Sequence, residues 1–228
     1  MSLDKQVSPS RAQCVCSTVG FENAQWNARY YPENCPEDWR LAYFMNDFRV
    51  VYLPCTGWYE SAAQITAIAD EMDEDFELII QWPPRVEADD VDEILARLEP
   101  LRQNIACIVL SIDDISEAVL DAVCGTVSKD YVVNLSSRIL DSKAQRELAL
   151  QYDAGFVWFP VLSEAPVLCG QYQVVCLPCQ GLREMKTVLD KLHPIVDRDI
   201  RAGLFFEPAE QSVNRAIEVR TLIELMGF

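Results

Sequence analysis

The stretch Ser17-Thr18-Val19-Gly20-Phe21-Glu22-Asn23-Ala24-Gln25-Trp26, continued by Asn27-Ala28-Arg29-Tyr30-Tyr31-Pro32, reads as the end of a strand running into a polar, aromatic-edged loop. Similar short, apolar, β-branched runs recur along the chain, as expected of strands covered on both faces. They are Gln13 to Val19, Phe48 to Pro54, Phe76 to Trp82, Ile105 to Ser111, Tyr131 to Leu135, Gly155 to Val161, Gln173 to Cys176 and Arg201 to Glu207. Amphipathic helices are predicted between most of them: Pro36 to Asn46, Ser61 to Met72, Asp89 to Leu101, Ile115 to Cys124, Ser142 to Tyr152, Leu182 to Leu192 and Ala209 to Met226. Pro36 and the Ser61, Asp89 and Asp141 regions are suitable helix starts. Only Leu162 to Tyr172 lacks a helical pattern, so one helix is missing between strands six and seven. Strict alternation argues for an α/β fold, a single (β/α)8 TIM-type barrel, although periodicity alone leaves an open sheet nearly as acceptable.

Composition narrows the function classes. With 228 residues, half of them apolar, the chain can bury the core of one barrel-sized domain, residues 1–228, with 1–12 a loosely attached N-terminal segment. No run is long and apolar enough for a membrane span, and Met1 to Arg11 lacks the apolar core of a signal peptide, so a cytoplasmic protein is expected. Nine cysteines, an odd number in a long chain without an export signal, are expected to be mostly reduced thiols. Between Glu60 and Asp121 there are seventeen acidic residues against Arg85, Arg97 and Arg102, which concentrates most of the net charge of −17 there. That flank repels phosphate, and with five lysines and no basic run nucleic acid is not an expected partner. A solvated helical face is the better reading of the flank, with a docking surface for a basic protein partner as the alternative.

Several segments resemble the YecE-like family, also called domain of unknown function 72, whose members are TIM-type barrels. The opening stretch resembles its first strand and loop. Glu37-Asp38-Trp39-Arg40-Leu41-Ala42-Tyr43-Phe44 running into Phe48-Arg49-Val50-Val51 resembles its first helix and second strand, and Trp58-Tyr59 the aromatic pair that follows. Leu204-Phe205-Phe206 and Ala216-Ile217-Glu218-Val219-Arg220 resemble its last strand and helix. The resemblance covers nearly the whole chain and implies the closed barrel. The departures bear on function. Tyr52 stands where the family usually has Glu, and Pro54 where it has Asn. Val133-Asn134-Leu135-Ser136 replaces a Glu-Phe-Arg-His type motif, Cys176-Leu177-Pro178-Cys179 an Arg-Leu-His-Gly type segment, and Glu207-Pro208 a pair of Asn. Groups that act as a unit are lost together, which implies a catalytically degenerate member that binds a ligand or partner.

In such a barrel the working face is the C-terminal end of the strands. The sole histidine, His193, ends a helix and therefore belongs to the opposite face, where it complements the helix dipole. The mouth candidates are Glu22, Asn23, Gln25 and Trp26 after strand one, Tyr59 after strand two, Gln81 and Arg85 around strand three, and Asp113 and Asp114 after strand four. Asn134 and Arg138 around strand five, Cys176 on strand seven and Glu207 after strand eight complete them. This set suits a small polar ligand, with Arg138 a fork for carboxylate or phosphate. Asp113-Asp114 could serve as acid and base, but an N-cap for the following helix is the better reading. The contrasting hypothesis is an enzyme with a replaced active site. It would use thiol redox or metal chemistry at Cys176 and Cys179, with Cys14, Cys16 and Cys55 near enough to be considered, or carboxylate acid/base hydrolysis by Asp113, Glu22 or Glu207. A single C-x-x-C is a weak signal, so neither metal nor cofactor is expected. A mouth plugged by Trp58, Trp82 and Trp158 would favour degeneracy, and convergent polar groups with perturbed pKa would favour an enzyme.

Overall fold

The computed structural model describes residues 13–113, 115–167, 170–196 and 200–228, so residues 1–12 and Asp114 lie outside the described residues. Among the described residues the strands are β1 (Cys14–Thr18), β2 (Val50–Leu53), β3 (Glu77–Gln81), β4 (Ile105–Ser111), β5 (Val133–Ser136), β6 (Gly155–Phe156), β7 (Tyr172–Leu177) and β8 (Arg201–Phe206). The helices are α1 (Asn27–Tyr30), α2 (Arg40–Met45), α3 (Ala62–Glu71), α4 (Val91–Leu98), α5 (Glu117–Val127), α6 (Ser142–Tyr152), α7 (Leu182–Val196) and α8 (Ser212–Met226). Between β6 and β7 the described residues form no helix, as the sequence pattern indicated.

All pairings are parallel, in two sheets ordered β1-β8-β7 and β2-β3-β4-β5-β6. The first and last strands are neighbours, in register from Cys14 with Ala202 to Thr18 with Phe206. The continuous eight-strand ladder expected of the barrel is not formed. Among the described residues the backbones of the two sheets are joined by two single bridges, Val19 with Tyr52 and Trp158 with Val175. Gly20, at φ +77°, turns the chain out of the extended conformation directly after Val19, leaving its N–H to bond the Tyr52 carbonyl at 2.7 Å. At the other seam β6 is only two residues long, and Trp158 bridges to β7, its N–H donating to Val174 O at 2.9 Å and its carbonyl accepting from Cys176 N–H at 3.0 Å.

Alternation along the strands sorts side chains into two cores. Val51, Leu53, Ile80, Ile108, Leu110 and Phe206 face outward and pack with Phe44, Leu98, Val123 and Leu189 of the helices. Val50, Tyr52, Ile79, Cys107, Val109, Val174, Cys176 and Phe205 face inward, where the two sheets confront one another. Each fully buried aliphatic or aromatic side chain contributes roughly 1.5–3 kcal/mol, so these two layers hold the fold together.

Polar groups also join the sheets. Buried Asn134 of β5 reaches beneath β6, donating from Nδ2 to the Tyr172 carbonyl of β7 at 2.9 Å and contacting Cys107 Sγ at 3.1 Å. Glycine at 155 makes room for it, because a Cβ there would lie 2.7 Å from Asn134 Oδ1. At the N-terminal ends of the strands buried Glu77 pairs with Arg201, linking β3 to β8 across the inner core.

Candidate functional site

The C-terminal ends of all eight strands, or the residues just after them, converge on one cavity of about 530 Å³. Its lining takes Val19 from the first strand end, Tyr52, Gln81, Ser111, Ser136, Phe159, Cys176, and Glu207 with Pro208 from the eighth; Asp113 and Arg138 enter from the loops after β4 and β5.

The charged centre is built on the β5–α6 loop. Asp113 accepts the Ser137 hydroxyl and, at 2.9 Å, the Arg138 N–H, which fixes where the Arg138 side chain starts. Ser137 Oγ in turn accepts the Ile139 and Leu140 N–H groups at 3.1 and 3.0 Å. Its hydrogen-bonding capacity is thus used in bracing the loop, which excludes Asp113–Ser137 as a poised nucleophile pair. Asp113 is not a helix cap either: α5 starts at Glu117 and is capped by Ser116, whose Oγ accepts Val119 N–H at 3.3 Å. Arg138 lies over the Phe159 ring, 4.5 Å from its centroid, and its Nη2 pairs with Glu207 Oε1. Glu207 is held by its own backbone, whose N–H bonds Leu177 O at 2.8 Å and whose carbonyl accepts Ser212 Oγ at 2.6 Å.

Of the sequence candidates, Gln81, Asp113, Arg138, Cys176 and Glu207 line this cavity, and the structure places Glu22, Trp26, Tyr59, Asn134 and Asn23 elsewhere. Glu22 stands outside on a separate groove bounded by α2 and α3, facing Arg40 at 3.4 Å. Trp26 is 1% exposed because its indole is taken up by the outer core. Tyr59 packs on Trp58 and carries Arg97 over its ring at 5.4 Å. Asn134 faces inward but sits below the opening, since β5 continues to Ser136 and it is Ser136 that reaches the rim. Asn23, whose carboxamide accepts Gln25 N–H at 2.9 Å, shapes its own turn. Gln81 is partly engaged, its Oε1 accepting Cys55 N–H at 3.2 Å. Sequence reading missed Tyr52, Ser111, Ser136 and Phe159; a polar or aromatic residue at each strand's end was the available signal.

The thiol alternatives meet two obstacles. Cys14 and Cys16 belong to the outer core and Cys176 to the inner one, so the sheet separates thiols that the four-ligand reading needed together. Burial, with Glu207 adding to it, pushes the Cys176 thiol up to about 12, the reverse of an activated thiolate. Cys176 and Cys179 are both free. Among the described residues no group of three or more His, Cys, Asp or Glu is placed to hold a metal ion. Trp58, Trp82 and Trp158 are buried in the outer core and leave the mouth open. Burial also raises the Tyr52 phenol well above its ordinary value, with Cys176 and Cys107 contributing. His193 sits in the last turn of α7, exposed and away from the cavity, its ring 5.2 Å from that of Phe228.

No protein-family model matches the sequence, and no curated protein is significantly similar to it. Solved structures do resemble the fold. The dipeptide epimerase from Cytophaga hutchinsonii complexed with Mg and the dipeptide D-Ala-L-Val superposes with a TM-score of 0.53 at 13% identity, over 87% of this chain and 53% of that one. The chain therefore spans about half the length of that enzyme. A putative aldo-keto reductase from Pseudomona aeruginosa gives 0.49 at 14% identity, over 91% and 90% of the two chains. UMP synthase from Leishmania donovani gives 0.48 at 13%, over 80% and 47%. The likeness to the epimerase identifies a TIM-barrel-like α/β fold. No helix among the described residues is long and apolar enough to cross a membrane.

Proposed function

We propose that the protein is a diverged YecE-like TIM-type barrel of the cytoplasm, catalytically degenerate, which binds a small polar ligand at the C-terminal face of its strands. The observation that carries this reading is a cavity to which every strand end contributes, with Arg138, Asp113 and Glu207 as charged groups among the described residues. Such a make-up, a few placed polar groups on an aromatic and aliphatic lining, is that of a ligand pocket. The state of two groups on the lining supports binding over chemistry. Tyr52 and Cys176 stay protonated near neutrality, and Asp113 is committed to holding the loop. The acidic flank reads as a solvating face, since Glu93 and Glu99 are exposed and paired locally with Arg97 and Arg102.

The test is a thermal-shift screen of small polar metabolites followed by calorimetric titration of the variants Arg138→Ala, Glu207→Gln and His193→Ala. Losing a hydrogen bond to a charged group costs about 1.5–3 kcal/mol, so the first two should weaken a mouth ligand about tenfold or more and the third only a few-fold at most. A large loss with His193→Ala alone would put the binding face at the other end of the strands. Turnover of a ligand that disappears with Glu207→Gln would favour the enzyme reading instead.

A further inference from the structure

We propose that the mouth cavity takes a zwitterion of the α-amino acid type with an apolar side chain, its carboxylate on Arg138 and its ammonium on Glu207. This rests on the reading of the mouth as a ligand site and names the class of ligand.

The argument begins with the charges. Among the described residues the lining carries one cation, Arg138, and two carboxylates, Glu207 and Asp113. A purely anionic ligand on Arg138 would come up against Glu207 and Asp113, and a purely cationic one on Glu207 would come up against the guanidinium. A molecule with both charges side by side offends neither. The hydrogen bonds point the same way. Only Nη2 of Arg138 and only Oε1 of Glu207 are used in their ion pair; among the described residues the remaining guanidinium N–H groups and Oε2 of Glu207 make no hydrogen bond. The two groups therefore offer, next to each other, donors for a carboxylate and an acceptor for an ammonium, and a zwitterion can dock alongside without breaking the pair.

The existing pair is also cheap to rearrange. Arg138 and Glu207 are 56% and 34% exposed, and ion pairs so placed are worth little in themselves. Ser111 and Ser136, paired across β4 and β5, bring two hydroxyls to the same rim. Tyr52, Phe159 and Val19 give the cavity an apolar wall for a side chain. A volume of about 530 Å³ is ample for one amino acid.

Calorimetric titration with three matched compounds tests this: L-leucine, its deaminated acid 4-methylpentanoate, and its decarboxylated amine 3-methylbutylamine. Leucine should bind, with each single-charge analogue weaker by about tenfold or more. Arg138→Ala and Glu207→Gln should each weaken leucine similarly, with Arg138→Lys in between because it keeps the charge and loses the fork. If either analogue binds as tightly as leucine and still depends on Arg138, the zwitterion inference fails and the mouth stands as a site for another class. If leucine binds and neither variant weakens it, both readings fail. If none of the three binds, the inference fails alone, and the metabolite screen decides the mouth.

Discussion

Asn134 and Gly155 form a matched pair whose coupling can be measured. Replacing Asn134 by Ala leaves the buried Tyr172 carbonyl without its donor, at a cost of about 1–3 kcal/mol, and opens a small cavity in the inner core. Part of this is returned, because Asn134 Oδ1 is itself buried without a hydrogen-bond partner among the described residues. The net expectation is about 2 kcal/mol of lost stability. Gly155→Ala, with Asn134 present, pushes a Cβ to 2.7 Å from Oδ1 and 2.9 Å from both Cγ and Nδ2. Overpacking of this kind costs about 1–3 kcal/mol.

In the double variant the offending carboxamide is gone, and the alanine methyl moves into space that the first substitution vacated. Gly155→Ala should then cost almost nothing further. The double variant is expected within about 0.5 kcal/mol of Asn134→Ala, a coupling of about 1–2 kcal/mol rather than additivity. Urea denaturation of the four proteins measures this through the shift in midpoint at constant m value. Additive losses would refute the contact, and with it the bracing of β5 to β7 beneath β6. Affinity for a mouth ligand should be unchanged within a few-fold in Asn134→Ala, since that side chain lies below the cavity.

Two further outcomes follow from burial in the two cores. Gly203→Ala should destabilise by about 1–3 kcal/mol, lowering the melting temperature by roughly 2–4 °C per kcal/mol, because its Cβ would meet Phe205 and the Tyr172 hydroxyl at 2.7 Å; unchanged melting would show that these rings yield freely. Cys14, Cys107 and Cys176 are each pushed up to about 12 by burial, from 9.0, so the unfolded chain loses these protons first as pH rises; stability should be fully kept below about pH 9 and fall from there through about 12 by up to roughly 1.4 kcal/mol per pH unit per thiol. Urea midpoints that stay flat from pH 8 to 10.5 would contradict that burial.

Much of this architecture could be read from side-chain pattern because the pattern has local causes. β4 runs from Ile105 to Ser111 as expected, an apolar run between polar turns. α6 starts at Ser142 because Asp141 caps it, accepting Lys143 and Ala144 N–H at 3.0 and 2.9 Å. Where tertiary contacts decide, pattern misleads. Gly155 to Val161 looks like a full strand, yet only Gly155–Phe156 pairs with β5, since the segment then bridges to β7 through Trp158. α7 passes through Pro194 to Val196 because burial of Ile195 and Val196 outweighs the hydrogen bond that proline removes. Trp26 and Tyr59, polar-edged aromatics in loops, could as well have faced a ligand; neighbours distant in sequence drew them into packing.

The same distinction explains why half of the candidate site was legible. Arg138 and Glu207 come together across 69 residues of sequence, and each was legible singly because a charged residue just past a strand end has few other places to go. Tyr52, Cys176, Glu207 and Pro208 come from strand ends far apart in sequence and line one cavity. Tyr52 supplies a neutral phenol, Cys176 a neutral thiol and Glu207 a carboxylate paired with Arg138, around space that the buried tryptophans leave open. A paired Arg138 and Glu207 beside a phenol and a thiol that burial keeps protonated is the arrangement on which the proposal of a binding site rests, because recognition uses placed charges while proton transfer needs a group poised near neutrality.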